Sequence, residues 1–509
     1  MTMKNILFYI FGVVIISITP IQAQSLTGAK IKSGKYKPAW ESLEQYPGAP
    51  EWFLDAKFGI YTHWGPITKA NEHRPDHAYG RDMYDPKTDE YEYHVKTYGD
   101  PKEVGYKDII PLFQPNDFNA EEWARIFKES GARFAGPVAM HHDNFAMWDS
   151  KVTPWNIKRT FGRDITGELE KAIRAQGMKF VTSFHHAYTW RYYKSAYDDD
   201  AGVPGNESLY CIPHSDDVRQ DAPEAAEFRK AWLGKLVEVI DNYQPDFIWF
   251  DWGIAAMPKE PVLDFFTHYF NSAEEWNKEV LVTFKKNPKK RYPGDFTVLD
   301  HERGGEMELS EEPWVNDTSI GPWFYNAKFG SKGNPLTDSL LELFIDLVSK
   351  NGCLLLNVPP DPQGNLTPAT VRILKEFGTW LQLNGEAIYE TRPWVVAEEG
   401  DGEIQGRVHI KSKMTSSDIR FTRSKDSSIL YAITLDWPES GELLIKTLAK
   451  DKIDISHVED IQLLGGKEKL NWEQTPEGLQ ITLGTQQPAN NWAHSLKIRF
   501  KNKIPELNR

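Results

Sequence analysis

Five short apolar runs in this chain end in side chains that can do chemistry. Lys57-Phe-Gly-Ile-Tyr-Thr leads into His63-Trp64-Gly65, Phe134 to Met140 into His141-His142-Asp143, and Met178 to Phe184 into His185-His186. Asp246-Phe-Ile-Trp-Phe250 leads into Asp251-Trp252, and Cys353-Leu-Leu-Leu into Asn357. An imidazole can donate and accept hydrogen bonds, which suits sugar hydroxyls. A carboxylate at the end of a buried run suits a nucleophile or a base. Hydrolysis of a glycoside also needs a second carboxyl group, to protonate the leaving oxygen. The segment Asp300-His-Glu302-Arg-Gly-Gly-Glu306-Met-Glu308 is rich in candidates, and the pattern alone leaves Glu302, Glu306 and Glu308 open. Taken singly, each residue has a structural reading too, as a helix cap or a hydrogen-bonded core histidine. The same ending on five runs points to one shared site.

His141-His142-Asp143 also holds metal-ligating side-chain types. Neighbours on an extended strand point opposite ways, so two adjacent histidines do not converge on one ion. No Cys-x-x-Cys or Cys/His zinc spacing is present, and no Gly-x-Gly-x-x-Gly turn follows an early strand. Neither a metal nor a cofactor is expected.

The elements that must position these residues alternate. Amphipathic segments at Phe118–Phe127, Asp164–Gln176, Glu224–Tyr243 and Thr337–Lys350 read as helices between the runs, with Asn119 placed to cap the first. Continuous apolar strands alternating with helices imply a parallel sheet covered on both faces. More than 300 residues of this pattern fit a (β/α)8 TIM barrel, here residues 36–388, with its active site at the C-terminal ends of the strands. From 389 to 509 the pattern changes to short alternating segments, such as Ile404–Lys411, Ser428–Thr434 and Ser495–Phe500, separated by Gly, Pro, Asp and Asn. That reads as an antiparallel β-sandwich.

The chain has 509 residues, 73 acidic against 59 Lys and Arg, and a formal net charge of −14. This balance, with no basic run, excludes a nucleic-acid partner and leaves an oligosaccharide or polysaccharide as the expected one. The 18 Trp fit a sugar binder and a large core alike. Cys211 and Cys353 read as two free buried thiols. Residues 1–23 combine a charged start, an apolar run and small residues near Ala23, the pattern of a secretory signal peptide. An exported protein, periplasmic or secreted, is expected, with no membrane span.

At these residues the chain resembles the α-L-fucosidases of glycoside hydrolase family 29, over about residues 40 to 500. The similar motifs are Lys57 to Gly65, Tyr91-Glu-Tyr-His-Val-Lys-Thr-Tyr98, Tyr106 to Phe113, Pro137 to Ser150 around the paired histidines, Pro245 to Asp251, Asn351 to Pro360, and Phe421-Thr-Arg with Leu430-Tyr-Ala-Ile. The resemblance implies that Asp251 is the nucleophile and Glu302, ahead of Arg303-Gly304, the acid/base. It implies that His63, His141, His142 and His185 hold the sugar hydroxyls, with Trp64 and Trp323 shaping the pocket. It also implies retention, which requires carboxyl groups about 5–5.5 Å apart. Four stretches depart from the family: His77-Ala78-Tyr79, Trp314-Val315, Pro322-Trp-Phe-Tyr325 and His185-His186-Ala-Tyr-Thr-Trp190. They fall around the pocket, so an α-L-galactosidase acting on galactan-type glycans is the alternative to an α-L-fucosidase. A non-catalytic carbohydrate-binding protein is disfavoured by the presence of both Asp251 and Glu302.

Overall fold

Parallel strands need long crossovers, and the amphipathic segments supply them. The computed structural model describes residues 29–70, 78–285, 295–327, 336–402, 414–466, 469–484 and 492–508. The leader assigned to residues 1–23 and the strand expected at 404–411 lie outside them. Strands β1 (Phe58–Thr62), β2 (Phe134–Met140), β3 (Lys179–Phe184), β4 (Phe247–Phe250), β5 (Leu281–Lys285), β6 (Val298–Glu302), β7 (Trp314–Ser319) and β8 (Gly352–Asn357) form a closed parallel barrel. β8 returns to β1, with Tyr61 opposite Asn357.

The crossover helices begin and end where their residues dictate. Asn119 accepts the Glu122 N–H at 3.1 Å and starts the helix Ala120–Glu129, which buries Trp123, Ile126 and Phe127. Asp164 caps Ile165–Ala175 in the same way. Gly177 then turns the chain at φ 70°, a left-handed conformation that suits glycine.

Side chains alternate across each strand, and the barrel interior selects one parity. Tyr61, Val181, Phe247, Trp249, Leu281, Val298, Val315, Cys353 and Leu355 form an inner core, closed at one end by Phe53 of the helix Glu51–Ala56. Ile60, Phe180, Ile248, Phe250, Val282, Phe284, Leu354 and Leu356 face the helices instead. At Gly59 a Cβ would stand 2.1 Å from the Phe134 ring, so glycine lets that ring fill the barrel.

The C-terminal unit is antiparallel, as expected. One sheet has the order β13 (Val458–Leu463), β16 (His494–Phe500), β11 (Ile429–Thr434), β10 (Ile419–Ser424), β9 (Thr391–Glu399). The other has the order β12 (Glu442–Ile445), β15 (Leu479–Thr482), β14 (Asn471–Gln474). Their inner faces share a separate core that includes Trp394, Phe421, Leu443, Ile481 and Leu496. This unit is fastened to the barrel by Trp380, whose indole donates to Ala493 O at 2.7 Å, and by Asn384, which accepts the Ser495 N–H. Among the described residues no helix is long and apolar enough to cross a membrane. Cys211 and Cys353 are both free and buried.

Candidate active site

The interior parity continues past the last core layer, and there the side chains turn polar. Trp249 is followed two residues on by Asp251, Thr283 by Lys285, Val315 by Asp317, Leu355 by Asn357, Tyr61 by His63, and Ser183 by His185. In β6 the same row runs Val298, Asp300, Glu302. β2 breaks the rule. Its pairing with β3 shifts register between Val138 and Met140, and this irregularity brings His141 to the inside. β2 also ends at Met140, so His141 and His142 lie beyond the strand and both line the pocket, with their rings 4.5 Å apart. The opposite facing expected of these neighbours does not hold, because the extended geometry has already stopped.

The pocket is lined by His63, Ala78, Arg81, His141, His142, His185, Tyr188, Tyr192, Asp251, Trp252, Lys285, Glu302 and Trp323, and encloses about 140 Å³. Of the residues expected at the site, Trp64 is the one the structure places elsewhere. It follows His63 just beyond β1, and it turns away from the pocket. Its ring packs on Phe113, Phe118 and Trp123, and its indole donates to Asp361 O at 2.8 Å. Glu306 turns to His301 at 2.8 Å, and neither it nor Glu308 lines the pocket, which leaves Glu302 as the carboxyl from this segment. His186 stacks on Trp232, and Asp143 accepts from the Tyr106 hydroxyl at 2.6 Å, so both serve packing. Burial, partly offset by that bond, pushes Asp143 up to about 6.

Lys285, which apolar periodicity did not single out, organises the floor. Its ammonium lies 3.2 Å from Asp251 Oδ1, 3.3 Å from Glu302 Oε2 and 3.2 Å from Asp317 Oδ2. Burial alone would discharge this lysine. Asp317, Asp251, Glu302 and Asp300 outweigh that and hold it protonated, well above the ordinary lysine value. Burial would likewise raise Asp251, but Lys285 and then His142, whose Nε2 is 3.4 Å from Oδ2, keep its carboxyl below the usual range. Asp251 is therefore ionised although only 4% exposed. Asp300 is pushed far up by burial and by Asp317 beside it. Two carboxyl groups hydrogen-bond only when one keeps a proton, and here Asp300 keeps it. Tyr61 completes the layer by donating to Asp317 at 3.0 Å.

The histidines are oriented from behind. The Asn357 amide nitrogen donates to Trp323 O at 2.8 Å, which fixes the amide so that its oxygen faces His63. That oxygen only accepts, so His63 Nδ1, 3.0 Å away, is the protonated nitrogen. His63 Nε2 faces His185 Nε2 at 3.2 Å, so the two rings are joined through one shared proton. Burial and the neighbouring histidines hold His185 far below the ordinary value, hence neutral. His63, His141 and His185 bring ring nitrogens within 4.8 Å of one another, a set of the kind that can ligate a metal. This trio comes from three strands and omits His142 and Asp143. The nearby Lys285 ammonium opposes a cation there. Trp323 is held between two cations, Lys285 at 5.4 Å and Arg303 at 4.6 Å from the ring.

The carboxylate oxygens of Asp251 and Glu302 meet one ammonium, so they are no farther apart than its 3.2 Å and 3.3 Å arms laid end to end. That bound only reaches the shortest inverting separation, about 6.5 Å, and includes the retaining one.

A family model for α-L-fucosidase matches residues 23–386, and one for the α-L-fucosidase C-terminal domain matches residues 412–499. The chain is 28% identical to the plasma α-L-fucosidase of Homo sapiens over 459 residues, 86% of each chain. It is 28% identical to the tissue α-L-fucosidase of Rattus norvegicus over 494 residues, 93% of each. The Thermotoga maritima α-fucosidase, solved in complex with a mechanism-based inhibitor, superimposes with a TM-score of 0.71 at 26% identity, over 91% of this chain and all of that one. Through both its barrel and its C-terminal unit, the chain belongs to the α-L-fucosidase family.

Proposed function

We propose that this protein is a retaining exo-α-L-fucosidase, with Asp251 as nucleophile and Glu302 as acid/base. The observation that carries the reading is the pair of carboxylates that meet one buried ammonium in a small pocket, Asp251 at its floor and Glu302 nearer its rim. An ionised, buried Asp251 suits attack on the anomeric carbon. Glu302, with a side chain 41% exposed, stands at the rim, where a leaving oxygen would pass. The volume of about 140 Å³ is well below that of sites for drug-sized ligands, which suits one terminal sugar and argues for exo cleavage. His63, His141, His142 and His185 would bind its hydroxyls, and Trp323 would form a wall. The leaving group takes a proton from Glu302 as the Asp251 ester forms. Water then attacks the ester, with Glu302 now the base. The apolar N-terminal run supports export, and the mature N-terminus of the secreted protein checks it.

The direct experiment is hydrolysis of an aryl α-L-fucoside by the purified protein, beside the matching aryl α-L-galactoside. Faster turnover of the fucoside is expected. Preference for the galactoside would replace the sugar and keep the mechanism. Turnover of neither would remove the proposed activity.

A further inference from the structure

The pocket floor is buried, but one aromatic at its mouth is not. Trp252 follows the buried Asp251 directly, yet it is 39% exposed. Among the described residues it is the only large apolar side chain exposed to that degree that also lines the pocket. Singly exposed apolar residues are ordinary, so exposure alone decides nothing.

The placement of the indole is built in, however. The short turn Trp252–Ala256 packs on the turn His186–Tyr188. At Gly253 a Cβ would stand 2.9 Å from both Tyr188 Cβ and Tyr188 N, so only glycine allows so close an approach. The indole meets the Tyr188 ring at a tilt of 53°, with centroids 4.5 Å apart, and lies 6.3 Å from the His142 ring. It is a braced surface beside the nucleophile, not a freely rotating side chain.

We propose that Trp252, supported by Tyr188, is the platform of a subsite for the leaving group, and that this leaving group is a pyranose sugar. The inference rests on the exo-fucosidase reading above. With the cleaved sugar on the floor, the rest of the glycan must leave through the mouth, past Glu302 and Trp252. A pyranose presents a face of C–H groups that lies well on an indole, whereas a small alcohol offers no such face. Arg81 also lines the mouth, but its Nε and Nη2 are both committed to Asp82, at 2.5 and 3.0 Å. Its charge is matched within the protein, so the mouth does not call for an acidic sugar.

The test compares two substrates that share the fucosyl group. One is α-L-fucosyl fluoride, whose leaving group has no ring. The other is a disaccharide with α-L-fucose on galactopyranose. Trp252→Ala should lower the ratio of kcat/KM on the disaccharide to kcat/KM on the fluoride about tenfold. Trp252→Phe should restore most of that ratio. An unchanged ratio in Trp252→Ala, whether both rates fall together or neither falls, would overturn the proposal and leave Trp252 as a support for Asp251. Failure of the wild-type protein on both substrates would instead overturn the fucosidase reading itself.

Discussion

Among the described residues, two clusters of charged side chains built around buried cations differ in charge balance. Between the barrel and the C-terminal unit, Asp346 and Glu398 face Lys350 and Arg420. Lys350 lies 3.1 Å from Asp346 and 3.0 Å from Glu398, and Arg420 lies 2.6 and 3.2 Å from the same two acids. Two cations meet two acids, and the group is neutral. At the barrel mouth, Lys285 alone faces Asp251, Glu302 and Asp317, with Asp300 behind them. There, even with a proton on Asp300, three carboxylates share one cation; exposure does not separate the clusters, since the Glu302 and Glu398 side chains are both 41% exposed. A balanced buried cluster specifies how two units dock. An unbalanced one holds acids ready to change their protonation, which is what acid/base and nucleophilic work require.

Substitutions should separate the two roles. The largest effect is expected at Asp251. Asp251→Ala should lower kcat on an aryl α-L-fucoside by about 10³-fold or more, with unchanged circular dichroism. Lys285→Met should lower kcat/KM by about 10²-fold. Lys285 also holds the Asp251 carboxyl down, so its loss should move the acidic limb of the kcat/KM profile to higher pH. Arg420→Met leaves Asp346 short of a partner and should cost about 3–5 kcal/mol in urea unfolding, with kcat kept. If Arg420→Met lost activity without stability, the contrast between the clusters would fail.

The smallest effect is a pH dependence in the C-terminal unit. Burial holds His494, packed on Trp437, down to about 4 from an ordinary 6.5. Above pH 6.5 the folded and unfolded chains are both neutral at this residue. As pH falls from 6.5 towards 4, only the unfolded chain takes up the proton, so stability is lost on acidification, by roughly 3 kcal/mol at most. His494→Gln should flatten the fall of Tm across that window. An unaltered slope would show that His494 does not titrate as its burial requires.

The strands that apolar runs reveal were legible, and with them His63, His141, His185 and Asp251. The site residues that escaped sit on strands of another kind. β7 reads Trp-Val-Asn-Asp-Thr-Ser, yet all six residues are buried, because Asp317 faces Lys285 and not water. β6 reads Val-Leu-Asp-His-Glu and looks like a solvated acidic loop, whereas Asp300 is 2% exposed. A hydrophobicity pattern cannot see a strand whose polar side chains satisfy one another. Lys285 had a signal: Leu281-Val-Thr-Phe-Lys285 ends as Phe-Ile-Trp-Phe-Asp251 does. Trp64 lies outside the site because its ring fills the aromatic cluster of Phe113, Phe118 and Trp123, which a position next to His63 does not announce. Family resemblance, not pattern, singles out Glu302 over Glu306 and Glu308, and the structure places it in the pocket as the last residue of β6, in the row of Val298 and Asp300.

The most direct measurement traps the intermediate. Incubation with 2-deoxy-2-fluoro-α-L-fucosyl fluoride, followed by proteolysis and mass spectrometry, should place one fluorosugar on the peptide containing Asp251, attached at that residue. A label on Glu302 or any other residue, or no label from a protein that turns over an aryl α-L-fucoside, would contradict Asp251 as the nucleophile.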